Sequence, residues 1–217
     1  VVILINDPDW QSQALDGAFG GRAMTYYGRW TYKFEEAARQ GAAGAIIIHD
    51  TEPAAYGWNV VQSSWTGAQV EQDTPGDHLD QSQAIGWIQQ DAAKALFASA
   101  GKDYARLIEA AKHKGFKAVP LGLKMSTGWD NAIRRQASKN VVGILPGKTR
   151  PNDYVLYSAH WDHLGRCDAV DGDDICNGAV DNASGVAALV AIAEANAKAG
   201  AAARSQVFLA VTAEESG

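Results

Sequence analysis

Two short stretches of this chain are apolar at every position: Val1-Val2-Ile3-Leu4-Ile5 and Ala45-Ile46-Ile47-Ile48. A run of strand length without polar alternation offers no face to water, so each reads as a buried strand. The first ends in the turn sequence Asn6-Asp7-Pro8-Asp9. A Gly-rich loop follows, with Gly17, Gly20 and Gly21. In 31–40, Tyr32, Phe34, Ala37 and Ala38 fall near helical spacing, and Gly41 suits the position just past a helix end. Helix, glycine turn and apolar strand make half of an α/β unit. The Gly41-Ala42-Ala43-Gly44 step precedes a strand, whereas a dinucleotide fingerprint follows one and opens a helix. These glycines therefore read as packing residues.

The middle of the chain is less regular. Residues 58–80 are polar and rich in turn signals, which reads as a flexible or ligand-facing loop. A short apolar segment covers 84–88, two helices are expected over 90–97 and 104–112, and 119–125 alternates as a strand. Trp58, Trp65, Trp87 and Trp129 read as core or loop anchors. The net charge of -6 leaves no basic footprint for nucleic acid, and none is expected as a partner. No apolar run reaches the roughly 20 residues of a membrane span. The nearest, 185–203, holds Glu194 and Lys198. The strand-type start at Val1 and the abrupt end at Gly217 suggest a mature, trimmed or internal piece.

A second α/β region starts near Gln136. Strands are expected over 140–145, 154–159 and 206–212, with an Ala-rich helix over 182–199 that Gly200 can end. Chemistry-bearing residues sit at the ends of these elements. His160-Trp161-Asp162-His163 follows the second strand, Asp181-Asn182 opens the helix, and Glu214-Glu215 follows the third strand. Ligands of open α/β sheets bind at the carboxyl ends of strands, so parallel strands would bring all three groups to one rim. Taken singly, each has a plain reading: a turn hydrogen bond for His-x-Asp, a helix N-cap for Asp181, a solvated end for the Glu pair. Together, His nitrogen and Asp/Glu oxygens form a normal zinc ligand set. Asp162 could accept the second imidazole N–H of His160. One Glu could bind metal while the other takes a proton from water.

The combination resembles the co-catalytic zinc exopeptidases, the group that includes aminopeptidase Y, bacterial leucyl aminopeptidases and glutamate carboxypeptidase. The strings that carry it are Ser158-Ala159-His160-Trp161-Asp162-His163-Leu164-Gly165, Gly178-Ala179-Val180-Asp181-Asn182-Ala183-Ser184-Gly185 and Thr212-Ala213-Glu214-Glu215-Ser216-Gly217. The resemblance implies that His160, Asp181 and Glu215 bind metal, with Asp181 bridging two zinc ions. It implies that Asp162 orients His160 and that Glu214 is the general base. His163 matches no ligand role. The expected activity is that of a metallo-exopeptidase, an aminopeptidase, which hydrolyses peptides with water activated by two zinc ions. The alternatives are a carboxypeptidase, a glutaminyl cyclase, or a receptor or binding protein on the same scaffold.

Residues 1–135 resemble the protease-associated domain that many of these enzymes carry, through Phe34-Glu35-Glu36-Ala37-Ala38-Arg39-Gln40-Gly41-Ala42-Ala43-Gly44-Ala45-Ile46-Ile47-Ile48. In the family that domain can shape substrate access. The expected organisation is a protease-associated β/α domain over 1–135 and the N-terminal part of a three-layer αβα zinc-peptidase domain over 136–217. The family's catalytic domain continues past the Glu pair and adds an acidic and a His ligand. By resemblance the chain is thus a piece of something longer, holding three of the five metal-binding residues.

Cys167 and Cys176 are nine positions apart, as a disulfide-closed ring or as two reduced thiols. The family is mostly secreted or periplasmic, and that resemblance favours the disulfide and the same localisation. Asp168, Asp171, Asp173 and Asp174 crowd the ring without completing the twelve-residue calcium-loop pattern, so a polar, solvated hairpin is expected.

Overall fold

The computed structural model describes residues 1–12, 18–76 and 80–216, the side chain of Ser216 excepted. Gly17, part of the expected 58–80 loop and Gly217 lie outside the described residues. The chain is mixed α/β and divides into two compact units, Val1–Gly67 with Asp73–Asn131 and Ala68–Gln72 with Ala132–Gly217.

The first unit is built on a parallel sheet of β1 (Val2–Leu4), β2 (Gly44–His49) and β3 (Ala84–Gln89), with β2 in the centre. Val2 pairs with Ile46, and Gly44 with Ala84. On one face Ala45 and Ile47 pack with Phe34 and Ala37 of α1 (Trp30–Arg39), Ile5, Ala54, Trp65 and Trp87. On the other, Ile48 packs with Ala93 of α4 (Gln90–Ser99), Tyr104 of α5 (Tyr104–Ala111), Leu4 and Phe97. Both faces of β2 are covered, which is why its sequence is apolar without alternation. Two short helices, α2 (Thr51–Ala54) and α3 (Trp58–Ser64), follow β2. Gly41, at φ +74°, lets the chain leave α1 in a Schellman turn, in which Ala42 N–H donates to the Ala37 carbonyl and Gly41 N–H to that of Ala38.

Two sequence expectations fail in this unit. Residues 58–64 form a helix with Val61 buried, so tertiary burial overrides the polar, β-branched local sequence. Residues 119–125 form no strand despite their alternation. Pro120 has no N–H to give a ladder, and Gly122 sits at φ +70°.

In the second unit β4 (Val141–Leu145), β5 (Arg150–His160) and β8 (Arg204–Val211) form a sheet in the order β4-β8-β5. β5 runs parallel to β8 and β4 antiparallel. The crossover from β5 to β8 contains α6 (Ala183–Ala199), whose Leu189, Val186 and Ala193 pack on Ala159, Tyr157, Phe208 and Ala210. The crossover also carries a hairpin of β6 (Gly165–Val170) and β7 (Asp173–Cys176). Its two turn residues, Asp171 and Gly172, both have positive φ, as a tight I′ turn requires. Cys167 and Cys176 are joined by a disulfide across the hairpin, with Cα atoms 5.9 Å apart.

Among the described residues, no helix is long and apolar enough to cross a membrane.

Candidate functional site

Parallel pairing of β5 and β8 decides where the chemistry lies. His160, the last residue of β5, is in register with Val211, the last of β8. Trp161 N–H donates to the Val211 carbonyl at 2.9 Å, which ties the two strand ends together. Beyond β8 the chain turns sharply at Ala213 (φ +63°) into a 3-10 turn over Glu214–Ser216. His160 and the Glu pair therefore share one rim. Asp181 reaches it from the start of α6.

Asp181 is not the cap of that helix. Asn182 is, with its side-chain oxygen accepting from Gly185 N–H at 3.0 Å. The Asp181 carboxylate is left to the rim. Its Oδ1 lies 2.9 Å from His160 Nε2, and Glu214 Oε2 lies 3.6 Å from the same nitrogen. One donor atom from each of His160, Asp181 and Glu215 falls within 4.8 Å of the others, a group of the size a metal ion needs.

The other nitrogen of His160 is committed. Nδ1 lies 3.1 Å from the backbone carbonyl of Asp162, and a carbonyl can only accept, so Nδ1 carries the proton. The carboxylate of Asp162 is farther away, with Oδ1 at 3.8 Å. The orienting partner of His160 is thus the main chain of Asp162, not the side chain expected from the sequence. The Asp162 carboxylate turns elsewhere, and its Oδ2 accepts the backbone N–H of Glu215 at 3.3 Å. Its Oδ1 is buried without a hydrogen-bond partner.

In a neutral imidazole with its proton on Nδ1, Nε2 carries a lone pair. Here that lone pair faces two carboxylates, an arrangement that lacks a positive charge. Without an ion, a proton on the ring is favoured. Burial opposes the charge, but the Asp162 carbonyl and the Glu214 and Asp181 carboxylates outweigh it and raise the His160 pKa above its ordinary value. A cation can supply the same charge. The nitrogen and carboxylate donors suit zinc, and manganese or cobalt fit the same set.

One partner at the rim was missed by sequence reasoning. Nδ1 of His163 lies 2.6 Å from Glu215 Oε1. The position of His163 three residues past His160, just beyond a strand end, was its only signal.

Residues 140–217 match the family model described as Peptidase family M28. No curated protein and no solved structure matches the chain.

Proposed function

We propose that residues 136–217 belong to the catalytic domain of a zinc-dependent metallo-exopeptidase, an aminopeptidase, and that residues 1–135 are its protease-associated-like accessory domain. The observation that carries this reading is the His160 ring, whose Nε2 is turned toward the Asp181 and Glu214 carboxylates by the Nδ1–H bond to the Asp162 carbonyl. A peptidase family model covering 140–217 supports the same chemistry.

His160, Asp181 and Glu215 would hold the cation, and Asp181 would be the residue to serve a second zinc as well. Zinc, when bound, supplies Lewis acidity, polarising a carbonyl and acidifying water. Glu214 does the proton work. Its side chain is 57 % exposed, and its carboxylate lies 3.6 Å from His160 Nε2, beside the metal group. From there it takes the proton of the attacking water and returns it to the leaving amine. The Asp162 carbonyl holds His160 in one tautomer throughout. The peptide substrate is the only partner this mechanism needs. A disulfide-closed hairpin beside the site fits a secreted or periplasmic setting.

The test is zinc stoichiometry together with aminoacyl-anilide hydrolysis, in the protein that carries this chain. Bound zinc with turnover supports the aminopeptidase. Bound zinc without turnover on anilides of several residue types points instead to a binding protein on the same scaffold.

A further inference from the structure

We infer that His163 is a positioning residue that holds Glu215 in its metal-ready orientation and braces it against the loop that carries Asp181. The inference rests on the reading of His160, Asp181 and Glu215 as the metal group.

Glu215 is gripped at two points. Its backbone N–H is taken by the Asp162 carboxylate at 3.3 Å, and its Oε1 by His163 Nδ1 at 2.6 Å. A glutamate bonded only through its main chain would sample several rotamers, and ordering it on binding a cation would weaken the binding. A glutamate held at one carboxylate oxygen as well presents one orientation. The bond is partly shielded from water, because the His163 and Glu215 side chains are only 24 % and 18 % exposed.

The imidazole is itself fixed by the opposite wall. Gly178, at φ +59°, lies so close that a Cβ there would stand 2.9 Å from His163 Cγ and 3.1 Å from the Asp181 carbonyl oxygen. Ala183 N–H bonds the Gly178 carbonyl at 3.0 Å, which binds this loop to the first turn of α6. One ring therefore sits between the turn bearing Glu215 and the loop bearing Asp181. The segment 160–163 supplies a metal-group nitrogen with its first residue, two Glu215 and His160 contacts with its third, and this brace with its fourth.

Outer partners of this kind typically change metal affinity by about 10–100-fold. The experiment is zinc titration of the metal-free full chain against a chromophoric chelator, for wild type, His163→Leu and His163→Asn. The Asn amide nitrogen can stand near the place of imidazole Nδ1 and donate to Glu215, whereas Leu cannot. The expected result is zinc affinity weakened about 10–100-fold in His163→Leu and largely regained in His163→Asn. Urea unfolding of the metal-free variants runs alongside, and affinity should follow the hydrogen-bond donor and not the unfolding midpoint. Wild-type affinity in His163→Leu, or equal loss in both variants, overturns the role of His163 while leaving the metal group standing. Failure of wild type to bind zinc overturns the metal group and this role with it.

Discussion

His160 Nε2 stands 2.9 Å from Asp181 Oδ1, although 21 positions and a disulfide-closed hairpin separate the two residues. Two independent devices make the contact. The parallel β5–β8 register sets His160 at the strand end, and the Asn182 cap frees Asp181 to face it. The direction of the ring follows from a third, the Asp162 carbonyl behind it at 3.1 Å.

Cation binding should therefore be governed by the protonation of His160. Its pKa is raised in the metal-free fold, so a proton competes for Nε2 over more of the pH range than at an ordinary histidine. Zinc affinity should fall about tenfold per pH unit below that raised pKa and level off above it. The stability linkage has the opposite sense. A folded pKa above the unfolded one stabilises the metal-free fold fully below the unfolded value, and this contribution disappears as pH rises through the folded value. Calorimetric zinc titrations and urea unfolding across pH 5–8 measure the two effects. Zinc affinity independent of pH over that range would remove His160 from the ligand set.

Glu214 and Glu215 are adjacent but differently placed, one largely exposed beside the rim and one gripped by His163 and Asp162. Glu214→Gln keeps the size of the side chain and removes the base. The expected outcome is wild-type zinc content with hydrolysis reduced by at least about 100-fold, the scale of a positioned general base. Glu215→Gln should instead lower zinc content. Loss of zinc in Glu214→Gln would exchange the two assignments.

Much of this arrangement is legible in the sequence, and the reasons are local. Ala45 to Ile48 could only be a strand covered on both faces, and it is. His160, Asp181 and Glu215 stand at element ends, so a parallel sheet was enough to gather them. The details that escaped depend on competition between partners. Asp162 was expected to orient His160 with its carboxylate, but its own carbonyl is nearer and the carboxylate is drawn to Glu215 N–H. His163 finds Glu215 only because the register is as it is. Residues 119–125 alternate like a strand, yet Pro120 and the positive φ of Gly122 leave them without a ladder.

The buried centre of the first unit is open to a direct test. Ile47 is fully buried in a cluster with Phe34 and Ala37 of α1, against which Trp65 and Trp87 pack. Ile47→Val should cost about 0.5–1.5 kcal/mol and Ile47→Ala about 2–5 kcal/mol, because the central strand cannot collapse into the space left. Urea unfolding monitored by tryptophan fluorescence reads both. Equal midpoints for wild type and Ile47→Ala would contradict the packing of this face of β2 against α1.

In the second unit the sensitive position is a glycine. Gly147 lies in the turn between β4 and β5, and its N–H donates to Ser205 Oγ at 3.0 Å, which in turn donates to the Pro151 carbonyl at 2.7 Å. A Cβ at 147 would stand 2.5 Å from the Arg204 carbonyl carbon and 2.6 Å from Ala203 O and Ser205 N. All three are backbone atoms entering β8, so no side-chain rotation relieves the clash. The turn would have to draw back, straining the Lys148 and Arg150 N–H bonds to the Ala202 and Ala203 carbonyls, both 2.8 Å. Gly147→Ala should destabilise the unit by about 1–3 kcal/mol, the range for overpacking against a fixed neighbour. Gly143→Ala, where a Cβ meets nothing within 4 Å, is the control and should stay within about 0.5 kcal/mol of wild type. Urea unfolding of the two variants side by side gives the comparison, and a Gly147→Ala midpoint no lower than that of Gly143→Ala would rule out the close approach of this turn to β8.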